Sequence, residues 1–185
     1  KTDDKNEAWA IAAKLNELNC QRQEIERSIL DDALKAAEIH AHKTSASIIV
    51  SGENWPSGVI GIIASRLVEK FNRPSFVISR NPETGISVGS GRSINGVDIG
   101  AGILSARQKG LLTNGGGHSM AAGFTIEDKN IPEFEYYMDV YIKQKLENYS
   151  VRADVKIDGV IEPAGMTLDL IRNFEVLAPF GCGNP

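Results

Sequence analysis

The clearest candidate for chemistry in this 185-residue sequence is a glycine-rich segment that ends in a histidine, Gly115-Gly116-Gly117-His118. Consecutive glycines allow positive φ angles and let the backbone approach a ligand closely. We predict a loop followed by a short helical turn, whose N–H groups converge on a phosphate or carboxylate. His118 could donate a hydrogen bond to phosphate, or act as an auxiliary acid when protonated. The alternative is a tight turn in which His118 caps its own loop.

A second candidate anion site is the segment Ser90-Gly91-Arg92-Ser93, which follows an alternating stretch typical of a strand. Arg92 is a permanent cation with a planar fork that suits phosphate oxygens. Glycine leaves room for a ligand, and the two serines add donors. Alone, such a segment is more often a surface turn. Together with the first segment, it predicts a phosphate-binding cleft between strand ends.

Trp55 lies in a predicted loop before the first helix of the globular domain. An aromatic ring at the mouth of a cleft can stack on a nucleic-acid base, although covering a helix end is an equally good interpretation. Ser57 could serve as the N-cap of that helix. No cluster of residues has the spacing of a complete metal site, so we predict no metal or cofactor bound by this chain.

Composition narrows the class of protein. The formal charge is −4 and 42% of the residues are hydrophobic, which suits a globular domain and argues against general electrostatic binding of nucleic acid, though not against a local basic cleft. The two cysteines, Cys20 and Cys182, show no ligand spacing, and we expect free thiols in a reducing cytoplasm. No signal peptide or membrane-spanning run is present, and we expect no membrane partner.

A long helix is predicted over about residues 3–42. Apolar residues there recur at alternating four- and three-residue steps, with Arg22 interrupting them, and they are Ile11, Leu15, Leu18, Ile25 and Ile29. This spacing produces one apolar stripe along a helix. We expect the C-terminal half of the helix to pack along the domain and the N-terminal half to be exposed or self-associating.

The remaining pattern alternates strands with helices. Strands are predicted at 47–51, 74–79, 85–89 and 123–126, and helices at 59–71, 98–109 and 131–147. Such alternation indicates an α/β fold with a central β-sheet flanked by helices. A further strand is predicted at 151–160, followed by a short helix at 168–176.

The two glycine-rich segments, in this order, resemble the DHHA1 domain of the DHH phosphoesterase superfamily. Residues 58–67, with Arg73-Pro74, resemble the first helix and second strand of this domain in RecJ-type single-stranded-DNA exonucleases. Residues 15–19, with Arg22, resemble their connector helix, and residues 178–185 resemble a segment of their oligonucleotide-binding domain. The sequence departs from the family at Trp55-Pro56, where many relatives have Trp-His.

The resemblance implies three parts: a connector helix from an absent catalytic DHH domain (1–43), a DHHA1 domain (44–148) and the start of a truncated oligonucleotide-binding domain (149–185). The Asp-His-His signature of the catalytic domain does not occur in this sequence. The complete enzyme would remove nucleotides from the 5′ end of single-stranded DNA in repair and recombination, using Mn²⁺ or Mg²⁺ held by the DHH domain. Its partners would be single-stranded DNA and its own DHH and oligonucleotide-binding domains.

By the same resemblance, this chain would grip the DNA backbone with its two glycine-rich segments and would be inactive alone. Two alternatives remain. A DHH/DHHA1 enzyme acting on short oligonucleotides or phosphoadenosine nucleotides is disfavoured by residues 178–185, because such enzymes lack the oligonucleotide-binding domain. A non-enzymatic interaction module would use the long helix for assembly, and its glycine segments would be simple turns.

Overall fold

The computed structural model of the chain describes residues 2–41, 45–147, 159–178 and 180. The chain divides into two compact units, Lys1–Val151 and Arg152–Pro185. The first unit contains a five-stranded sheet with helices on both faces and a long N-terminal helix. The expected α/β class and the connector-like helix are therefore confirmed.

The long helix, α1, spans Lys5–Ala41, a length of about 55 Å at 1.5 Å per residue. Its C-terminal half packs on the domain, where Ile29, Ala33 and Ala37 are buried. Its N-terminal half leaves apolar side chains in solvent, among them Ile11 and Leu15. The apolar stripe predicted from the sequence thus serves the domain core only in its last part.

The strands are β1 (Ile48–Glu53), β2 (Ser75–Arg80), β3 (Ile86–Arg92), β4 (Asn114–His118) and β5 (Ala121–Glu127). They lie in the order β1-β2-β3-β5-β4. The β1–β2 pair is parallel and the others are antiparallel. Helix α2 (Ser57–Phe71) supplies the crossover that the parallel pair requires. The second edge of the sheet is the glycine-rich strand β4.

Helices α1 and α2 cover one face of the sheet, α1 over β1 and α2 over β2 and β3, with Ile48, Val50 and Val77 beneath them. Helices α3 (Ile99–Gln108) and α4 (Ile131–Glu147) contribute to the core on the other face. That core contains three neighbouring phenylalanines; the ring centroids of Phe124 and Phe134 are 4.8 Å apart, and Phe76 meets both edge-on. The two faces of the sheet are therefore covered by different pairs of helices.

Three local predictions were wrong. Residues 90–92 form the end of strand β3 and not a loop, and 115–118 lie in strand β4, closed by a two-residue turn, and not in a loop before a helical turn. Both segments pair with β5, and in β3 Gly89 and Gly91 leave the space that the rings of Phe124 and Phe76 occupy. At α2 the N-cap is Pro56, with no side-chain hydrogen bond, so Ser57 is already helical.

The second unit contains a short 3₁₀ turn, Pro163–Gly165, and helix α5, Leu168–Glu175. Thr167 caps α5 by accepting a hydrogen bond from the Leu170 amide. The helix predicted at 168–176 is therefore present. The predicted strand at 151–160 and the segment 178–185 fall mostly outside the described residues.

Candidate functional site

The candidate site lies on the face of the sheet that α2 covers in part. It runs from β3, beside α2, across β5 to β4, and we call this surface the open face. Directly opposed residues of antiparallel strands share a face, so the registers define three rows across β3, β5 and β4. The rows are Arg92–Ala121–His118, Ser90–Gly123–Gly116 and Val88–Thr125–Asn114. Every residue in them is half-buried or exposed. The open face is thus a solvent-accessible surface built largely from small and polar residues.

Arg92 is the positive charge of the open face. Its Nη1 donates to the Gly91 carbonyl at 2.9 Å and to the Ser90 hydroxyl at 3.2 Å. Helix α2 lies close over it, since a Cβ on Gly61 would stand 3.0 Å from Nη2. Within the described residues neither bond goes to a carboxylate. The guanidinium is therefore positioned by neutral groups and keeps its charge available to an anion.

His118 stands in the same row as Arg92, with only the methyl group of Ala121 between them. Neighbouring strands lie about 4.8 Å apart, so the two backbone positions are separated by about 10 Å. The Met120 amide donates to His118 Nδ1 at 3.3 Å. Since Nδ1 accepts, the neutral ring carries its proton on Nε2, which can donate outward. The side chain therefore caps its own turn and still offers a donor.

The two glycines of the middle row, Gly116 and Gly123, form a floor without side chains. A Cβ on Gly116 would meet no atom within 4 Å, and one on Gly123 would meet only the Gly89 carbonyl at 3.9 Å. A shallow concavity of about 230 Å³ lies here, bordered by Asn114 and Thr125. A ligand on this floor could contact the backbone directly, with the Ser90 hydroxyl at its side.

The structure separates the predicted phosphate-binding residues. Ser90, Arg92, Gly116 and His118 meet on the open face. The others have structural surroundings: a Cβ on Gly91 would strike Phe76, one on Gly115 would strike Ile103, and one on Gly117 would lie 2.3 Å from the Ala121 carbonyl. Ser93 is buried and donates its hydroxyl to the Val97 carbonyl at 2.6 Å.

The amides of Gly115–Gly117 do not converge on one point. Successive N–H groups of a strand alternate between its two edges, and β4 has a partner on one edge only. Its open edge therefore leaves alternate N–H groups without a strand partner, and the Gly115 amide donates to the Asn114 side-chain oxygen at 2.9 Å. This differs from the predicted loop, in which all three amides would point at one ligand.

Trp55 lies near the opposite edge of the sheet, beside β1. Its indole ring rests on Gly52 of β1, where an added Cβ would come within 2.1 Å of it, and it packs beside the cluster under α1 and α2. Strand β1 is separated from β3 by β2. The structure therefore gives Trp55 a packing role and does not bring it into the row of Arg92 and His118.

Sequence reasoning missed Asn114, Gly123 and Thr125 as members of the site, and Gly61 as the residue that lets α2 approach Arg92. The period of two along a strand carries the missing signal. Once 86–92 and 114–118 are taken as strands, parity places residues 88, 90 and 92 on one face and 114, 116 and 118 on the matching face of the neighbouring hairpin.

Across the described residues, no group of three or more His, Cys, Asp or Glu side chains is placed to hold a metal ion. These residues therefore do not fit a metal centre. In the same part of the chain, no helix is both long and apolar enough to cross a membrane.

A five-stranded mixed sheet with helices on both faces defines an α/β domain. The model of the family described as the DHHA1 domain matches residues 45–144, more than half of the chain. The chain belongs to the DHHA1 domain family.

Within this family, the chain is similar to several RecJ proteins. The chain is 32% identical to the single-stranded-DNA-specific exonuclease RecJ of Bacillus subtilis, covering 100% of this chain and 23% of that protein. It is 33% identical to RecJ of Thermus thermophilus, with 100% and 25% covered. The crystal structure of Thermus thermophilus RecJ in complex with Mg²⁺ matches with a TM-score of 0.81 and 31% identity, over 100% of this chain and 27% of that one. The chain thus spans about a quarter of the length of these relatives.

Proposed function

We propose that this chain is the substrate-gripping part of a RecJ-like exonuclease that removes nucleotides from the 5′ end of single-stranded DNA in repair and recombination. The observation that carries the proposal is the row Arg92–Ala121–His118 beside a glycine floor, in a chain similar over its full length to RecJ exonucleases. The enzyme's own DHH and oligonucleotide-binding domains would be its partners, and the cytoplasm its compartment.

The open face suits a nucleic-acid backbone for three physical reasons. Arg92 supplies a charge and several N–H donors, and His118 supplies a further donor about 10 Å away. Gly116 and Gly123 remove the side chains that would hold a strand off the sheet. Ser90 adds a hydroxyl between them. Such an arrangement orients a phosphodiester, and positioning alone can supply a large part of a rate enhancement.

Hydrolysis would belong to another domain. The chain lacks the Asp-His-His signature, and the RecJ crystal structures it matches were solved with Mg²⁺ or Mn²⁺. We infer that metal ions held by a DHH domain supply the activated water and that this chain alone releases no nucleotides. Metal-dependent release of nucleotides by the pure chain would contradict this inference.

The test is fluorescence anisotropy of the chain with labelled single-stranded and duplex DNA at several salt concentrations. Arg92→Ala and His118→Ala are compared with Arg107→Ala, an exposed arginine on a helix of the opposite face. We expect weak, salt-dependent binding that prefers single strands. Hydrogen bonds to charged groups contribute about 1.5–3 kcal/mol, so Arg92→Ala should weaken binding about ten- to hundredfold.

The control variant should bind like the unchanged chain. Equal affinity of all four proteins for single-stranded DNA would place the DNA path elsewhere. The Trp55→Ala variant is measured in the same experiment. If Trp55 contacts a base, the variant should lose affinity for DNA; if Trp55 only packs on Gly52, the variant should lose stability and keep its affinity.

A further inference from the structure

A second basic surface lies outside the open face, in a groove between α1 and α2. We call it the arginine groove; it is lined by Arg22, Glu26, Arg27 and Leu30 of α1 and by Ile62 and Arg66 of α2. Its volume is about 420 Å³. The four-residue spacing of 22, 26 and 30, and of 62 and 66, places each set on one side of its helix. Two long helices therefore bring three arginines together.

The guanidinium groups of the groove are only partly engaged. Arg22 donates to the Asn19 side-chain oxygen at 3.0 Å, which is a neutral partner. Arg66 pairs with Glu69 at 2.9 Å, and this hydrogen bond, with the negative charge of Glu69, raises the pKa of Arg66. Within the described residues Arg27 has no ion pair. Each guanidinium carries five N–H donors, so most donors in the groove remain free for another acceptor.

The charge balance of the groove is positive in a chain whose net charge is −4. Three arginines face one lining carboxylate, Glu26, and one adjoining carboxylate, Glu69. Leu30 and Ile62 are half-buried and provide an apolar floor against which ribose or base edges could rest. Clustered arginines on such a floor are typical of sites that track a single strand.

Helix α2 connects the two basic surfaces. Gly61 lies against Arg92 at the edge of the open face, while the next residue, Ile62, lines the arginine groove. The two surfaces therefore lie on adjoining sides of one helix, whose diameter with side chains is about 10–12 Å. A flexible strand that leaves the open face needs to cross only this helix to reach Arg66.

We propose that the arginine groove binds phosphodiester groups of the same single strand that the open face grips, several nucleotides further along. This inference rests on the proposed function. The groove would add affinity for long strands and none for dinucleotides, and thereby favour long substrates over short ones.

The test uses the double variant Arg22→Gln/Arg27→Gln, because Glu69 then keeps its partner Arg66 and glutamine preserves helix propensity. Binding of a labelled dinucleotide and of an oligothymidylate about 12 nucleotides long, within the usual range of single-strand sites, is measured across salt concentrations. Arg107→Gln is the matched control, and Arg22→Lys/Arg27→Lys is the conservative variant. Melting temperatures of all variants should match, since the substituted side chains are exposed.

We expect the double variant to lose affinity for the long strand and to bind the dinucleotide unchanged. Each phosphate of a single strand that is no longer neutralised reduces the slope of log K against log salt by about 0.7, so the slope should fall by about 1.4. The lysine variant should keep most of the slope. A length-dependent gain in affinity that survives the double substitution would overturn the proposal.

Two further outcomes separate the alternatives. If Arg92→Ala abolishes binding at both lengths while the double variant changes nothing, DNA binding by the open face is supported and DNA binding by the arginine groove is contradicted. If the groove variant matters and Arg92→Ala does not, the proposed grip on the open face fails. Competition with inorganic phosphate distinguishes a strand from a free anion as the ligand. If inorganic phosphate displaces the labelled oligothymidylate from the groove at an equal concentration of phosphate groups, the groove is a site for free anions and the strand proposal is overturned.

Discussion

Glycines on the two faces of the sheet have opposite surroundings. On the core face Gly89 and Gly91 lie directly beneath Phe124 and Phe76, whose rings occupy the space that a Cβ would need. On the open face Gly116 has nothing above it within 4 Å. The same residue type thus admits aromatic rings on one face and leaves room for a ligand on the other. Composition alone does not distinguish these uses, because strand parity assigns each glycine to its face.

The largest effect on stability is expected at Gly89, on the core face. In Gly89→Ala the new Cβ would stand 2.1 Å from the Phe124 ring, which is held between Phe76 and Phe134. Overpacking of this kind costs about 1–3 kcal/mol, and we expect the upper end, measured by urea unfolding. Unchanged stability would mean that the aromatic cluster repacks freely, and the distinction between the two faces would fail.

Gly116→Val is the counterpart on the open face. The site is exposed and empty, and valine favours strands, so stability should change by less than about 0.5 kcal/mol. Affinity for single-stranded DNA should fall about tenfold, because the side chain costs about 1.4 kcal/mol by lifting the backbone off the floor. Anisotropy and unfolding are measured on the same samples. Full affinity would argue against a strand lying on the glycine floor.

Two serines of one predicted motif sharpen the comparison further. Ser93 is buried and donates to the Val97 carbonyl, whereas Ser90 is half-buried on the open face beside Arg92. Ser93→Ala should cost about 1 kcal/mol of stability with unchanged DNA affinity, seen as a lower melting temperature. Ser90→Ala should show the reverse pattern. Equal behaviour of the two variants would mean that burial does not decide the role of these hydroxyls.

The smallest effect is expected at Tyr141 of α4. Its hydroxyl donates to the Asp98 carbonyl, and burial, followed by the charge of Asp98, raises its pKa. A raised tyrosine pKa stabilises the fold fully below the unfolded value of about 10, and this stabilisation is lost as pH rises through the folded value. Tyr141→Phe should therefore show a smaller loss of stability between neutral pH and strongly alkaline pH. Identical pH profiles would exclude this contribution.

Much of the fold could be predicted from local patterns. The amphipathic spacing of α4 predicted its bounds, 131–147, and the apolar stripe of α1 predicted a long helix. The strands at 90–92 and 114–118 could not be predicted in this way, because glycine has low strand propensity. They are strands because β5 pairs with both. In β3 the phenylalanine rings also occupy the space beside Gly89 and Gly91, and both causes are non-local.

The candidate site was predicted in part for the same reason. Arg92 and His118 stand out by residue type and by the glycines around them, and the structure brings them into one row. Ser93 and Gly91 belong to the same motif in sequence, yet Ser93 is buried just after the end of β3 and Gly91 faces the core. Adjacent residues of a strand point to opposite faces, so a contiguous motif cannot serve one ligand as a whole.

The amino-acid sequence by itself determined the family resemblance, the helices and the residue types available to hold a phosphate, since these depend on local composition and spacing. Only the tertiary structure decided which of those residues share a surface. Strand register aligned Arg92 with His118 through Ala121, the packing of α2 left the last two strands uncovered, and the contact of α1 with α2 assembled three arginines that are distant in sequence. Pairing and packing between remote segments carry that information because no short stretch of chain contains both partners.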